Sequence, residues 1–341
     1  MRRNLILLAA FALAGVTLAR CSPTYVLRAG IEEARILARR QPIERVIVRP
    51  GTDHEAARKL RLVLDARTFA GKVLGLDVGG SYSTYSAIDR DTLALVLSAS
   101  RRDRFEPVTW WFPIVGRFPY KGFFSADDAL DAARDLERRG FDTYVRTTSA
   151  FSTLGWFDDP LLSTVLRYDD VALVSTVIHE LAHNTLFIPG QVPFNETFAS
   201  FVGDRGAIAF FCALEGDNGP RCRQARDEWH DHLLFADFIS GLIAELETLY
   251  ARNLPLDHVL SARESIFETA RGRFRDEVQP RLRTPAYAAV DRLPLDNARL
   301  IAIRVYNDRL HLFEQLFHTH AGDLAATIRA LKAATPDLPD P

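Results

Sequence analysis

The sequence predicts an α+β fold, mainly helical, in which a small β-sheet lobe precedes a helical lobe. Three observations carry this expectation. Short β-prone runs concentrate in residues 81–148, apolar residues recur at helical spacing from about residue 160 onward, and neither an internal repeat nor a low-complexity linker divides the chain. With 341 residues and 48% hydrophobic content the chain can bury a large core. The expected organisation is a leader over 1–20, an N-terminal α+β lobe over 21–160 and a helical lobe over 161–341, the last two built as one continuous domain over 24–335.

Residues 24–41 and 53–75 read as helices, the second from Leu60, Leu62, Val63, Ala66 and Phe69 set among Arg, Lys and Glu. Pro42 and a strand-like stretch over 45–48 separate them. Strands are expected over 82–88, 92–97 and 108–115, where Gly and Pro punctuate short β-prone runs. Ser125-Ala126-Asp127-Asp128 starts a helix in the manner of a capping box, and Gly140 ends it. A further strand follows over 143–148. Asp169 and Asp170 put negative charge at the positive end of a helix over 170–187, which Pro189-Gly190 stops. Pro193 and Asn195 open the next helix, and others are expected over 220–252, 258–279 and 294–332.

A net charge of −2 gives no electrostatic reason to expect nucleic acid, because phosphate binding needs concentrated Lys and Arg. The N-terminus is distinctive. Arg2 and Arg3 precede an uncharged run from residue 4 to 19, short for a bilayer span but suited to the apolar core of an export signal. Leu18-Ala19-Arg20-Cys21 looks like a lipoprotein cleavage box, with Cys21 as the lipid-bearing residue, a periplasmic location and attachment to the membrane through that lipid. Arg20 departs from the small residue expected there, so cleavage after Ala19 and an uncleaved anchor remain open. Cys212 and Cys222 flank a turn rich in Gly and Pro, and an oxidising compartment permits a disulfide between them. Two free thiols are the alternative.

The chemistry concentrates in Val177-Ile178-His179-Glu180-Leu181-Ala182-His183, an HExxH motif embedded in apolar residues. Positions four apart share one helix face, so His179 and His183 can present two imidazoles to one Zn²⁺ ion while Glu180 stands beside it as general base. A catalytic zinc takes three protein ligands, and Glu196, on the returning helix, is the expected third. The metzincin pattern is excluded, since it needs Gly and His where Leu186 and Pro189 stand. Ligand histidines normally hold a partner on the second ring nitrogen, a role assigned to Asp204, with Asn195 supporting Glu196. Tyr306, with Arg304 beside it, is the candidate oxyanion donor on a late helix. Ser152, Thr153, Leu154 and Gly155 form a small, extended segment suited to pair with a substrate backbone. The aromatic stretch over 105–124 reads as core packing of a β-ribbon, with the wall of a substrate cleft as the sharper alternative. His230 and His232 lie two apart, cannot share an ion on a helix, and read as exposed.

Several of these stretches together, Cys21-Ser22-Pro23, Tyr82-Ser83-Thr84-Tyr85, Trp110-Trp111-Phe112-Pro113, Pro119-Tyr120-Lys121-Gly122, Ser152-Thr153-Leu154-Gly155-Trp156, the HExxH motif and Phe194-Asn195-Glu196-Thr197-Phe198-Ala199, resemble a family of bacterial zinc aminopeptidases, commonly exported and often lipoproteins. The resemblance covers nearly all the chain after Cys21. It implies a zincin-like metallopeptidase fold, a peptide substrate and peptidase activity. The Asn195-Glu196 pair also looks like that of gluzincins, at a shorter spacing, which supports Glu196 as a ligand. The rival expectation is a non-catalytic envelope protein with a structural metal and an aromatic partner surface.

Overall fold

Residues 35–88, 94–112, 116–148 and 158–334 are described by the structure, a computed structural model. The stretch read as an export signal, Cys21 and the Ser152–Gly155 segment lie outside them. Helical residues 35–38 lead into β1 (Gln41–Pro42) and then α1 (Ile43–Ile47). The strand-like 45–48 is therefore a helical turn. Ile43 and Val46 explain why: spaced three apart, both are buried on one helix face, whereas a strand would turn them to opposite sides. Helix α2 (His54–Lys72) starts on Asp53, whose carboxylate accepts from Ala56 N, and buries Leu60, Leu62, Val63 and Ala66.

Among the described residues eight short strands make three small sheets. β2 (Thr84–Ser86) pairs antiparallel with β1 and parallel with β8 (Leu161–Leu162). β3 (Ala94–Arg101) is the centre of the main sheet, antiparallel to β6 (Tyr120–Phe123) and to β7 (Phe141–Thr148). β4 (Trp110–Phe112) and β5 (Gly116–Phe118) form a separate ribbon. Helix α3 (Ala126–Arg138), capped by Ser125, covers one face of the main sheet, where Leu97, Ala99, Phe123, Ala129, Ala133 and Leu136 form a small core.

The alternation of β7 joins the lobes. Phe141 and Val145 pack against the core under α3. Asp142, Tyr144 and Arg146 face the other way, and each meets a residue of the helical lobe: Arg263, Arg299 and Tyr306 respectively. In that lobe α4 (Asp170–Thr185) and α5 (Val192–Glu215) pack side by side, with Val174, Val177, Ile178, Leu181, Phe198, Phe201 and Phe211 fully buried. Asp169 caps α4 through its carboxylate, which accepts from Val171 N and Ala172 N. α6 (Pro220–Tyr250) follows a turn at Gly216, and a Cys212–Cys222 disulfide ties the end of α5 to the start of α6. α7 (Leu256–Arg273) continues as a π turn over Phe274–Val278 and then a 3₁₀ turn over Gln279–Arg281.

The helix expected over 294–332 is three helices: α8 (Asn297–Asn307), α9 (Leu310–Thr319) and α10 (Leu324–Ala334). Left-handed backbone at Arg309, and at Ala321 and Gly322, breaks it. Three helices with short turns wrap the curved flank of α5, which one straight rod would leave.

Candidate metal centre

Helix α4 presents His179 and His183 one turn apart, with ring centroids 5.0 Å apart in an edge arrangement. Helix α5 brings Glu196 over them, its Oε2 3.4 Å from His179 Nε2 and 3.6 Å from His183 Nε2. Two features of sequence allow this approach. Asn195 is buried and fastens the connecting loop from both sides, accepting from Ile188 N at 2.9 Å and donating to Ile188 O at 2.8 Å. Gly203, two turns after Glu196 on the same face, has no side chain to hold the helices apart: a Cβ there would lie 2.8 Å from Ser175 O and 3.1 Å from His179 Cβ. Gly206 repeats the device against Ile178.

The donor set fits a zinc ion. Two imidazole nitrogens and a carboxylate oxygen lie within 4.8 Å of one another, and tetrahedral zinc with bonds near 2.0–2.1 Å sets its ligands roughly 3.3–3.5 Å apart. The three groups also hold each other. Burial pushes Glu196 up, but hydrogen bonds and charge from both histidines outweigh it and leave the carboxyl well below its usual range. Burial pushes His179 down, and Glu196 and Glu180 more than offset this. Glu180, in the same helical turn, is raised by burial, with the two imidazoles opposing.

The other predicted residues divide. Asp204 does not hold a ligand imidazole: its Oδ1 accepts from Ser175 Oγ at 2.6 Å and its Oδ2 lies 2.7 Å from His232 Nδ1. His232 is thus no exposed residue but part of this network, with Nε2 2.9 Å from Asn307 Oδ1. Its spacing from His230 excluded a shared ion and said nothing of burial. His183 Nδ1 is buried with no hydrogen-bond partner among the described residues. Asn195 bonds to the loop at Ile188 and, among the described residues, makes no side-chain hydrogen bond to Glu196. Tyr306 does reach the site, its ring 6.4 Å from that of His179, and burial next to the Glu196 charge pushes its hydroxyl up to about 12. Arg304 turns away to Glu247 at 2.8 Å and Asp308 at 3.4 Å.

Three residues were not legible as site residues. Tyr120, from β6, lies half-buried beside the centre, and burial and then the Glu196 charge raise its pKa. Tyr82 is buried with left-handed backbone, and burial followed by the Glu180 charge raises its own. Arg146, from β7, donates to Tyr306 Oη at 3.3 Å. The aromatic stretch splits accordingly: Phe123 belongs to the small core, Phe105 packs on Tyr250, Trp111 is exposed, and Tyr120 borders the site. An arginine inside a short β run was the one available sign of Arg146.

No curated protein and no solved structure matches the chain. A family model described as "Putative aminopeptidase" matches residues 24–338, so nearly the whole length is covered, and the chain belongs to that family.

Proposed function

We propose that the protein is a zinc-dependent aminopeptidase of zincin-like type, acting on peptides in the bacterial cell envelope, with His179, His183 and Glu196 as ligands of one ion. The observation that carries this reading is the convergence of two imidazoles and a carboxylate from α4 and α5, with a fourth reactive group, Glu180, in the same turn as the histidines. A purely structural zinc site has four protein ligands and no use for Glu180. Held by His179, His183 and Glu196, a zinc ion would supply an acidified water, with a pKa of about 7, and polarisation of the scissile carbonyl. Glu180 takes the proton from the attacking water and delivers it to the leaving amine. Tyr306 donates its O–H to the oxygen that gains charge as the carbonyl is attacked. The run over residues 1–20 supports export, and Cys21 lipidation would keep the enzyme at the membrane.

The test is Glu180→Gln with zinc content and hydrolysis measured together, on peptides with free and blocked N-termini. Zinc retained with hydrolysis lost by roughly 10²–10⁴-fold is the expected result. Blocked peptides cut as fast as free ones would remove the aminopeptidase assignment, and a wild-type protein that binds no zinc and cleaves nothing would remove the enzyme.

A further inference from the structure

Arg146 is a cation with unused donors beside the proposed centre. It lies part-buried on the face of β7 turned toward the helical lobe, with its guanidinium carbon 5.7 Å from the centre of the Tyr306 ring, which itself neighbours His179. One nitrogen donates to Tyr306 Oη, and Nε is buried with no hydrogen-bond partner among the described residues. Two other part-buried or buried guanidiniums are neutralised, Arg263 by Asp142 at 2.6 Å and Arg205 by Glu314, whereas Arg67 and Arg299 share with Arg146 the lack of a carboxylate pair among the described residues but have no ring contact with Tyr306. No carboxylate pairs with Arg146 among the described residues. A guanidinium carries five N–H donors and accepts nothing, so the Tyr306 oxygen must accept from it and keep its own proton for another group. Withdrawing a cation from water without a counter-anion is costly, and sites that receive an anionic ligand are where such a cost is sustained.

We infer that Arg146 anchors a carboxylate of the substrate, so that the preferred substrates are short peptides carrying a carboxylate next to the scissile bond. This rests on the peptidase reading above. A guanidinium grips a carboxylate through two parallel N–H donors, a geometry that a neutral peptide carbonyl does not match. The carboxylate is either the free C-terminus of a dipeptide or an Asp or Glu side chain after the cleaved bond. In both cases the anchor sits on the leaving side, and it fixes the distance from the carboxylate to the attacked carbonyl.

Three probes separate the sources: the dipeptide Ala-Phe, its C-terminal amide, and the amide of Ala-Glu. Wild-type kcat/KM is expected to be roughly 10–100-fold higher for Ala-Phe than for Ala-Phe amide, mostly through KM. Recovery with Ala-Glu amide assigns the anchor to an acidic side chain as well; no recovery restricts it to the C-terminal carboxylate. Arg146→Met should abolish the preference and Arg146→Lys keep part of it, and the wild-type comparison needs no variant to fold. A wild type that cuts the dipeptide and its amide equally, or an Arg146→Met enzyme that keeps the preference, overturns the anchor. If no peptide is cut, calorimetric binding to the zinc-loaded protein decides separately. Ala-Phe bound more tightly than its amide, in an Arg146-dependent way, upholds the anchor while the peptidase reading fails; equal or absent binding overturns it.

Discussion

At Gly203 a missing side chain sets the distance between two helices. Alanine there would push against the backbone oxygen of Ser175, which cannot swing aside, and against His179 Cβ. Gly203→Ala is therefore expected to cost about 1–3 kcal/mol by overpacking, and to weaken zinc binding because His179 and Glu196 are driven apart. Urea denaturation with a parallel zinc titration checks both effects. A loss of stability with unchanged zinc affinity would show that Gly203 serves packing alone. Residues of this kind are half legible in sequence. A glycine inside a helical pattern stands out as a violation of propensity, but its neighbours across the interface do not. His232 was less legible still, because nothing in the local pattern around it encodes Asp204 or Asn307.

Two contacts between α5 and α6 set how those helices meet. The first is the Asp204–His232 pair. Burial works against charge on both groups, but each is held charged by the other, so Asp204 is lowered and His232 is raised relative to their ordinary values of 3.8 and 6.5. For the histidine, the added stability is fully present below pH 6.5 and is lost as pH rises through its folded pKa; for the aspartate, it is present above 3.8 and is lost as pH falls through its folded pKa. The pair should therefore stabilise the fold most between those two values. Tm measured from pH 4 to 9 is expected to fall on the alkaline side, and His232→Gln should flatten that arm. An unchanged alkaline arm in the variant would assign it to another group. The second contact is the Cys212–Cys222 disulfide, which closes a loop with a sequence separation of 10. Replacing both cysteines by serine is expected to cost roughly 2–3 kcal/mol, read as a lower urea midpoint, while zinc content stays the same.

Across the whole molecule the junction of the sheet and helical lobes is polar and paired. Arg263 from α7 is buried against Asp142 of β7, which also accepts from the backbone of Asn297 at the start of α8 at 3.0 Å. One carboxylate thus ties three elements together, and two of them carry Arg146 and Tyr306. Arg263→Met leaves that carboxylate without its main cation. The expected loss is about 3–5 kcal/mol, with peptide hydrolysis reduced even though no residue near the proposed zinc ligands has changed. Thermal unfolding and kcat/KM on the same preparation test this. Full activity in a destabilised variant would show that the junction holds the fold but does not align the site.

The parts that were legible share one property, that their geometry is local. His179 and His183 lie on one face because positions four apart do so on any helix, and Asp169, Ser125 and Gly140 mark helix ends through hydrogen bonds or backbone freedom within a few residues. The mainly helical α+β class followed from the same kind of pattern. The meeting of Tyr120, Arg146 and Tyr306 beside the histidines depends instead on which face of β7 meets α8. Helical and strand periodicities record that a face is turned toward a neighbour but not what that neighbour is. The three-way break of the last helical stretch was hidden for a related reason: Arg309 and Ala321 take left-handed backbone that their residue types do not announce, because packing around α5 compensates the strain. By itself the sequence determined the helical class, the capped starts of helices such as α3 and α4, and the face shared by the two histidines. Tertiary structure alone decided which distant side chains surround them, since only packing brings residues from separate elements within bonding distance.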